Sequence, residues 1–329
     1  MAAALFLPLR AGKKLHLAMM AGVVTSYLGP CGLVEAGDIR RHDDMHLSPT
    51  GRGKGEHDAS GEVERRAARF ATTSTNGILY HGGPIMPGTV NIYYIWYGPW
   101  NTATDTTQAL LTDFAKHIGG TPYFNINKSY YDATNATVSG AVNFGGATHD
   151  LGSQGTVLTD AAVQKVVANM LTSNSLPTDP NGVYFVLTSK EVKETSGFCT
   201  QYCGWHTYGA IKNKNIKYSF VGNPQQQCPS ACSAQSVSPN NNLGADAMAS
   251  IIAHELAESV TDPNFNAWFD QHGEENADKC AWTYGATKVT RTGAHYNVTW
   301  VDRTTAVATN WLLQQNWLNA SGGKCAVAN

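Results

Sequence analysis

The feature that most constrains this chain is an apolar segment, "MASIIAHELAESV", that carries three ionisable side chains. Its apolar residues recur at helical spacing, which predicts a long buried helix over residues 244–261. Pro263 ends the predicted helix. His254, Glu255 and Glu258 lie inside it, and burying such groups without partners costs free energy. The fold must therefore supply ligands or hydrogen bonds for them.

The spacing of these polar residues is similar to the start of a zinc-protease helix. His254 and Glu258 are i and i+4, so their side chains lie on one helix face about 6 Å apart, a spacing that suits two ligands of one metal ion. Glu255 points about 100° away, at the position of the general base in HExxH enzymes. That base takes a proton from metal-bound water, but here Glu258 replaces the second histidine of the motif.

The remaining metal ligands are expected in the later acidic segment "GEENADKC". Glu275 and Asp278 follow Glu258 by 17 and 20 residues. In thermolysin-type peptidases a glutamate at about this distance completes the site, and an aspartate one turn later orients the first histidine. We therefore expect His254, Glu258, Glu275 and Asp278 to hold zinc, with calcium or manganese as alternatives because carboxylates dominate the set. The alternative without metal is a helix whose His254 and Glu258 hydrogen-bond.

The order of predicted elements indicates an α/β (α+β) fold with a mixed sheet packed on helices. The predicted elements are strands over 89–98, 136–145 and 182–189, helices over 105–119 and 159–171, and a hairpin turning at Lys212–Asn215. This order resembles zinc-peptidase folds, which implies a zincin-like active helix after the sheet. From residue 262 onward the chain is rich in Gly, Asn and Trp, which predicts a loop-rich subdomain with a late helix near 309–318.

The N-terminus has the pattern of a secretory signal. Basic residues precede an apolar run, and a small-x-small sequence ends at Ala36, which predicts a signal peptide over residues 1–36. The alternative is a membrane anchor, but polar residues and a proline interrupt the run. Residues 37–77 are polar and charged, so we interpret them as a flexible lead-in or pro-segment before a domain over 78–329. No later segment is apolar enough to span a bilayer.

The cysteines and glycosylation sequences also predict secretion. Cleavage after Ala36 would leave six cysteines, an even number that suits an oxidising compartment. They are Cys199, Cys203, Cys228, Cys232, Cys280 and Cys325. The first four could hold zinc, but two disulfides are favoured, with three pairings open, and the last two are expected to pair. Sequences for N-glycosylation start at Asn127, Asn135, Asn297 and Asn319.

Several segments together are similar to the EXORDIUM / phosphate-induced protein 1 family. They include "YHGGPIMPGTVNIYYIWYGPW", "SGFCTQYCGWHTYG", "YSFVGNPQQQCPSAC" and "ENADKCAW", and the resemblance covers the chain from about Tyr80 to the end. It implies a secreted plant-type cell-wall or apoplast protein linked to growth and to phosphate or carbon status. The intact "HELAE" sequence is more similar to non-plant relatives, which implies a metal-dependent role.

Two functional hypotheses follow. The first is a secreted extracellular or cell-wall protein with a divalent-metal site on the "HELAE" helix, whose partner is a matrix or wall polymer. The second is a secreted metal-dependent hydrolase that acts on a peptide, with Glu255 as general base and His206 as a donor to the substrate. Whether the chain is an enzyme stays open. The net charge of −2 gives no indication of a nucleic-acid partner.

Overall fold

The computed structural model describes residues 77–271, 273–301, 308–320 and 322–329. The predicted signal peptide and the lead-in up to residue 76 lie outside the described residues, as does Cys31. The strands are β1 (Leu79–Tyr80), β2 (Val90–Tyr97), β3 (Val142–Asp150), β4 (Val157–Leu158), β5 (Gly182–Thr188), β6 (Lys193–Glu194), β7 (Gly204–Ile211), β8 (Lys214–Gly222), β9 (Trp268–Phe269), β10 (Lys288–Val289), β11 (His295–Tyr296), β12 (Val298–Val301), β13 (Ala308–Trp311), β14 (Asn316–Leu318) and β15 (Lys324–Ala326). The α-helices are α1 (Thr107–His117), α2 (Asp160–Thr172), α3 (Pro229–Cys232) and α4 (Leu243–Thr261), and 3₁₀ turns span Phe124–Ser129 and Asp278–Cys280.

A five-stranded mixed sheet organises the fold, in the order β3-β2-β5-β8-β7. The first four strands run parallel, and β7 pairs antiparallel with β8 at one edge. β2 and β5 are almost entirely buried, as expected for inner parallel strands covered by helices on both faces. This mixed sheet with packed helices confirms the α/β character predicted from the sequence.

The helices cover the sheet in two groups. The crossover through α1 runs from β2 to β3, and the crossover through α2 returns from β3 to β5. Because right-handed crossovers in opposite directions use opposite faces, α1 and α2 cover opposite sides of the sheet. α4 contacts α1 and also β7 and β8, so it lies beside α1, beneath the antiparallel edge.

The hairpin of β7 and β8 was predicted correctly and has a clear local cause. Lys212 and Asn213 form a two-residue connection, and both have positive φ, 50° and 58°. Two positive φ angles are the mark of the type I′ turn, whose twist matches that of the flanking strands. The turn fixes the register in which Trp205 faces Phe220 and His206 faces Ser219. It thereby determines where His206 lies along the edge of the sheet.

Three predictions of local structure need correction. The strand expected over 136–145 begins at Val142 and runs to Asp150, because Thr137 forms an isolated bridge with Tyr131 and the residues that follow it are irregular. α1 begins at Thr107, and Asp105 Oδ1 accepts hydrogen bonds from the Thr107 amide and hydroxyl ahead of the helix. The late helix near 309–318 is wrong. That stretch forms β13 and β14, whose tryptophans and β-branched residues favour strands.

Three disulfides cross-link the chain and settle the pairings that the sequence left open. Cys199 pairs with Cys228 and Cys203 with Cys232, which excludes the four-cysteine zinc site. Cys280 pairs with Cys325, as predicted, and ties the acidic segment to the C-terminal strand β15. The region after α4 consists of short two-stranded sheets, so the loop-rich character expected there is also confirmed.

Candidate functional site

The candidate site is built on α4, a helix that is buried along its length after Leu243. Asn242 caps its N-terminus by accepting a hydrogen bond from the Ala245 amide. At the other end Asp262 caps the helix, and its Oδ1 accepts from the amides of Asn266 and Ala267. The Asp262 amide donates to the Glu258 carbonyl at 2.7 Å, and the Asp262 carboxylate holds the turn that follows the helix. The polar groups in the middle of α4 need partners from other segments.

His254 contacts two carboxylates through one ring nitrogen. Its Nε2 lies 3.0 Å from Oε1 of Glu258 and 3.4 Å from Oδ1 of Asp278. The Asp278 amide donates a second interaction to the same Glu258 oxygen, at 3.0 Å. One ligand atom from each of the three residues lies within 4.8 Å of the others. Ligands about 2.1 Å from a tetrahedral ion lie about 3.4 Å apart, so the spacing is close to that of a metal site.

A second histidine approaches the same cluster from the sheet. His206 lies on β7, and its Nε2 is 3.2 Å from Oε2 of Glu275 and 3.6 Å from Oε2 of Glu258. Ligand atoms of His206, Glu255 and Glu258 also lie within 4.8 Å of one another. Glu258 therefore presents Oε1 to His254 and Oε2 to His206.

Glu255 is the most isolated member of the cluster. Its side chain is 0% exposed, and neither carboxylate oxygen has a hydrogen-bond partner among the described residues. Gly204 of β7 lies beside it, since a Cβ added at this glycine would be 3.3 Å from Glu255 Oε1. A carboxylate in such a position is stable only as the neutral acid or beside a cation.

The acidic segment is held against α4 by contacts on several sides. Lys279 Nζ donates to Asp270 Oδ2 at 2.9 Å and lies 5.3 Å from the ring centre of Trp317. The Asn276 amide group donates to Asn127 Oδ1, and the Trp317 amide donates to the Asn276 carbonyl. The Cys280–Cys325 disulfide closes the same segment. Asp278 and Glu275 are thus positioned by covalent and polar anchors outside the cluster.

The charges of the cluster shift the pKa values of its members. Burial, followed by the charge of Asp278, raises the pKa of Glu258 to about 7. Burial also raises the pKa of Glu255 well above its usual range, and Glu258 and Asp278 add to this effect. For His254 burial acts to lower the pKa, but the nearby carboxylates outweigh it and raise the pKa well above the usual range. Burial is thus the main cause of the raised pKa of both glutamates, and neighbouring carboxylates are the cause of the raised pKa of His254.

The structure brings together the residues that the sequence singled out, with one rearrangement. His254, Glu258 and Asp278 form one group of ligand atoms, whereas Glu275 contacts His206. Asp278 had been expected to orient His254, and its Oδ1 in fact faces the same ring nitrogen as Glu258. The sequence indicated His206 as a donor to the substrate but did not predict its contacts with these carboxylates. The position of His206 three residues after the disulfide-bonded Cys203 was the local signal that placed it near the site.

The four expected glycosylation positions differ in accessibility. Asn127 is 0% exposed, and its Oδ1 accepts a hydrogen bond from Asn276, so we correct the prediction for this position. Asn297 donates its side-chain nitrogen to the carbonyls of Tyr284 and Leu313. Asn319 is half-buried. Asn135 is exposed in a turn with a φ of 64° and stays a prediction.

Comparison with known proteins identifies relatives of the chain. Over 238 residues it is 32% identical to Protein EXORDIUM-like 3 of Arabidopsis thaliana, covering 63% of this chain and 69% of that protein. Protein EXORDIUM-like 5 of Arabidopsis thaliana is 33% identical over 64% of this chain and 65% of its own length. Protein PHOSPHATE-INDUCED 1 of Nicotiana tabacum is 26% identical over 68% of this chain and 78% of its own length. No solved structure matches the chain.

The family model described as the phosphate-induced protein 1 conserved region matches residues 78–317. This range includes the five-stranded sheet, α4 and the acidic segment up to Cys280, so the matched region contains every residue of the cluster. The relatives named EXORDIUM-like agree with this match. The chain therefore belongs to the phosphate-induced protein 1 family, which includes the EXORDIUM-like proteins.

Proposed function

We propose that the chain is a secreted EXORDIUM-like protein of the extracellular space or cell wall that holds a divalent cation on α4. Three disulfides support secretion, because such cross-links persist in oxidising compartments. No helix among the described residues is long and apolar enough to cross a membrane. Family membership supports a partner in the extracellular matrix or cell wall, of which a wall polymer is the candidate we retain from the sequence.

The charge of the buried cluster is the observation that carries the metal proposal. Four carboxylates and two imidazoles meet there, and the six side chains are at most 3% exposed. They are His206, His254, Glu255, Glu258, Glu275 and Asp278. Even with both imidazoles protonated, ionised carboxylates leave an excess of two negative charges. A divalent cation would offset this buried negative charge.

The ligand types favour a transition metal over calcium. Calcium and magnesium prefer oxygen ligands alone, whereas imidazole nitrogen suits zinc and manganese sites that also contain carboxylates. His254, Glu258 and Asp278 would hold the ion, and Glu275 would support His206 beside it. Zinc is our first choice, and manganese is the second.

A hydrolase that uses Glu255 as general base is not favoured. Such a base must lie within hydrogen-bond reach of a water that also contacts the substrate. Glu255 and Glu258 are 0% exposed and His206 is 1% exposed, between α4 and the sheet. A structural ion agrees better with this burial than a zincin-like active helix does.

Elemental analysis of the secreted full-length protein tests the proposal. We expect at least one equivalent of zinc or manganese per chain in the wild type. His254→Ala and Glu258→Gln should each lose bound metal. Glu258→Gln removes a buried charge, so it should remain folded without metal, which circular dichroism would verify.

His117→Ala is the matched control, because His117 and Asp113 form an i,i+4 pair of the same chemistry on a partly exposed face of α1. This variant should keep the wild-type metal content. Wild-type protein that carries less than about a tenth of an equivalent after folding in metal-containing medium would refute the metal site. Equal loss in His117→Ala would show that the measured ion is bound elsewhere.

A further inference from the structure

Glu258 divides its carboxylate between two histidines that come from different parts of the fold. Oε1 lies 3.0 Å from His254 Nε2 on the same helix, and Oε2 lies 3.6 Å from His206 Nε2 on β7. Each histidine has its own acidic partner, Asp278 for His254 and Glu275 for His206. The two halves of the cluster therefore have equivalent donor sets that share one carboxylate.

From this arrangement we infer that the cluster binds two divalent cations bridged by Glu258, an inference that rests on the proposed metal-binding function. The first position consists of His254, Asp278 and Oε1 of Glu258. The second consists of His206, Glu255 and Oε2 of Glu258, with Glu275 in contact with His206. A carboxylate that bridges with separate oxygens is compatible with ions about 3.5–4 Å apart, the usual spacing of two-metal sites.

Charge balance favours two ions over one. Histidine binds a metal in its neutral form, so ligation removes both positive charges from the cluster. Four carboxylates then require two divalent cations for neutrality, whereas one cation bound by His254 would leave one negative charge buried even with His206 protonated. A single ion at the first position would also leave Glu255 without a partner, because that carboxylate has no hydrogen bond among the described residues.

Counting metal ions per chain tests this inference separately from the metal site itself. The full-length protein is unfolded with its disulfides intact and refolded with Mn²⁺ as the only added metal. Unbound Mn²⁺ is then removed. We expect two equivalents in the wild type and one in His206→Ala and in Asp278→Asn. The refolded wild type should show the exchange-coupled paramagnetic resonance signal of two adjacent Mn²⁺ ions, and His206→Ala should show the six-line signal of one isolated ion.

The outcomes distinguish the two claims. One equivalent in the wild type, with an uncoupled signal, would overturn the paired site and leave the single-ion proposal standing. Two equivalents that persist in His206→Ala would overturn the assignment of the second position. Absence of Mn²⁺ from this sample, together with absence of Zn²⁺ from a second sample refolded with Zn²⁺ alone, would overturn the metal-binding function and this inference with it. His117→Ala again serves as control and should match the wild type in both readouts.

Discussion

Gly204 lies so close to Ile251 that a Cβ on the glycine would be 2.4 Å from Ile251 Cγ2. The same Cβ would be 2.9 Å from the backbone oxygen of Phe220. This contact brings β7 against α4 without an intervening side chain, one turn of the helix before Glu255. The close approach of sheet and helix is what allows His206 to reach the carboxylates of α4.

Gly204→Ala should destabilise the protein because neither the Ile251 methyl nor the Phe220 carbonyl can move freely. Overpacking of this kind costs about 1–3 kcal/mol in the free energy of unfolding, measurable by urea denaturation. Gly209→Ala is the control on the same strand, since its Cβ would meet only the flexible end of Gln164. Equal stability of the two variants would show that β7 can shift away from α4.

Because of Asp246, the free energy of unfolding should fall as the pH rises from about 4 to about 6. Burial raises its native pKa to about 6, although Ser238 and Asn240 partly counteract the shift. The native state therefore keeps a proton that the unfolded chain releases. This contribution is complete below pH 4 and is lost as the pH rises through 6, a loss of about 3 kcal/mol.

Asp246→Asn removes this titration, so its advantage over the wild type in unfolding free energy should increase from pH 4 to pH 7. Urea denaturation followed by tryptophan fluorescence at several pH values measures the difference. If the unfolding free energies of the two proteins changed in parallel with pH, the raised pKa of Asp246 would be contradicted.

Asn242 should contribute more stability than an ordinary helix cap. Besides capping α4, its Nδ2 lies 2.9 Å from the Thr107 hydroxyl and 3.2 Å from Asp105, so it links α4 to the start of α1. Asn242→Ala loses the cap, worth about 1 kcal/mol, and these buried hydrogen bonds as well. Thr159→Ala, which removes only the exposed cap of α2, is the comparison. In thermal denaturation, the melting temperature of Asn242→Ala should be clearly lower than that of Thr159→Ala.

Removing the Cys280–Cys325 disulfide should lower both stability and metal content. The cross-link spans 45 residues, so the loop-entropy model gives about 4 kcal/mol. Cys280→Ala/Cys325→Ala also frees the turn that carries Asp278. The control is Cys199→Ala/Cys228→Ala, which removes a disulfide between cysteines 29 residues apart and away from this turn. This variant should retain its metal. Retention of the wild-type ion content by the first variant would show that the acidic segment stays in place without its bridge.

A glycan is predicted at Asn135 and not at Asn127. Asn135 is exposed in a turn, whereas the buried Asn127 is hydrogen-bonded to Asn276. Mass spectrometry of protein secreted by eukaryotic cells should show the loss of one glycan in Asn135→Gln. Asn127→Gln should leave the glycan mass unchanged. A glycan retained in Asn135→Gln would have to be attached elsewhere.

Local sequence patterns predicted the elements with strong periodicity. The run of β-branched and aromatic residues predicted β2, and the apolar spacing predicted α4 with its end before Pro263. Prediction failed where tertiary pairing decides. β13 and β14 contain apolar residues at a spacing that a helix could also use, but pairing with β12 and β15 makes them strands.

The candidate site was predictable only along one helix. His254, Glu255 and Glu258 follow from local spacing, and Asp278 followed from an approximate separation along the chain. The role of His206 depends on the register of β7 with β8 and on the missing side chain at Gly204. Neither property can be read from residues near His206, since both arise from contacts between segments distant in sequence.

The complete enclosure of Glu255 and Glu258 has a consequence for biosynthesis. An ion bound beside side chains that are 0% exposed could enter only when the surrounding elements separate. Loading would therefore occur while the chain folds, and later exchange would be as slow as local opening. The metal found in the mature protein would then reflect the cellular compartment in which folding took place.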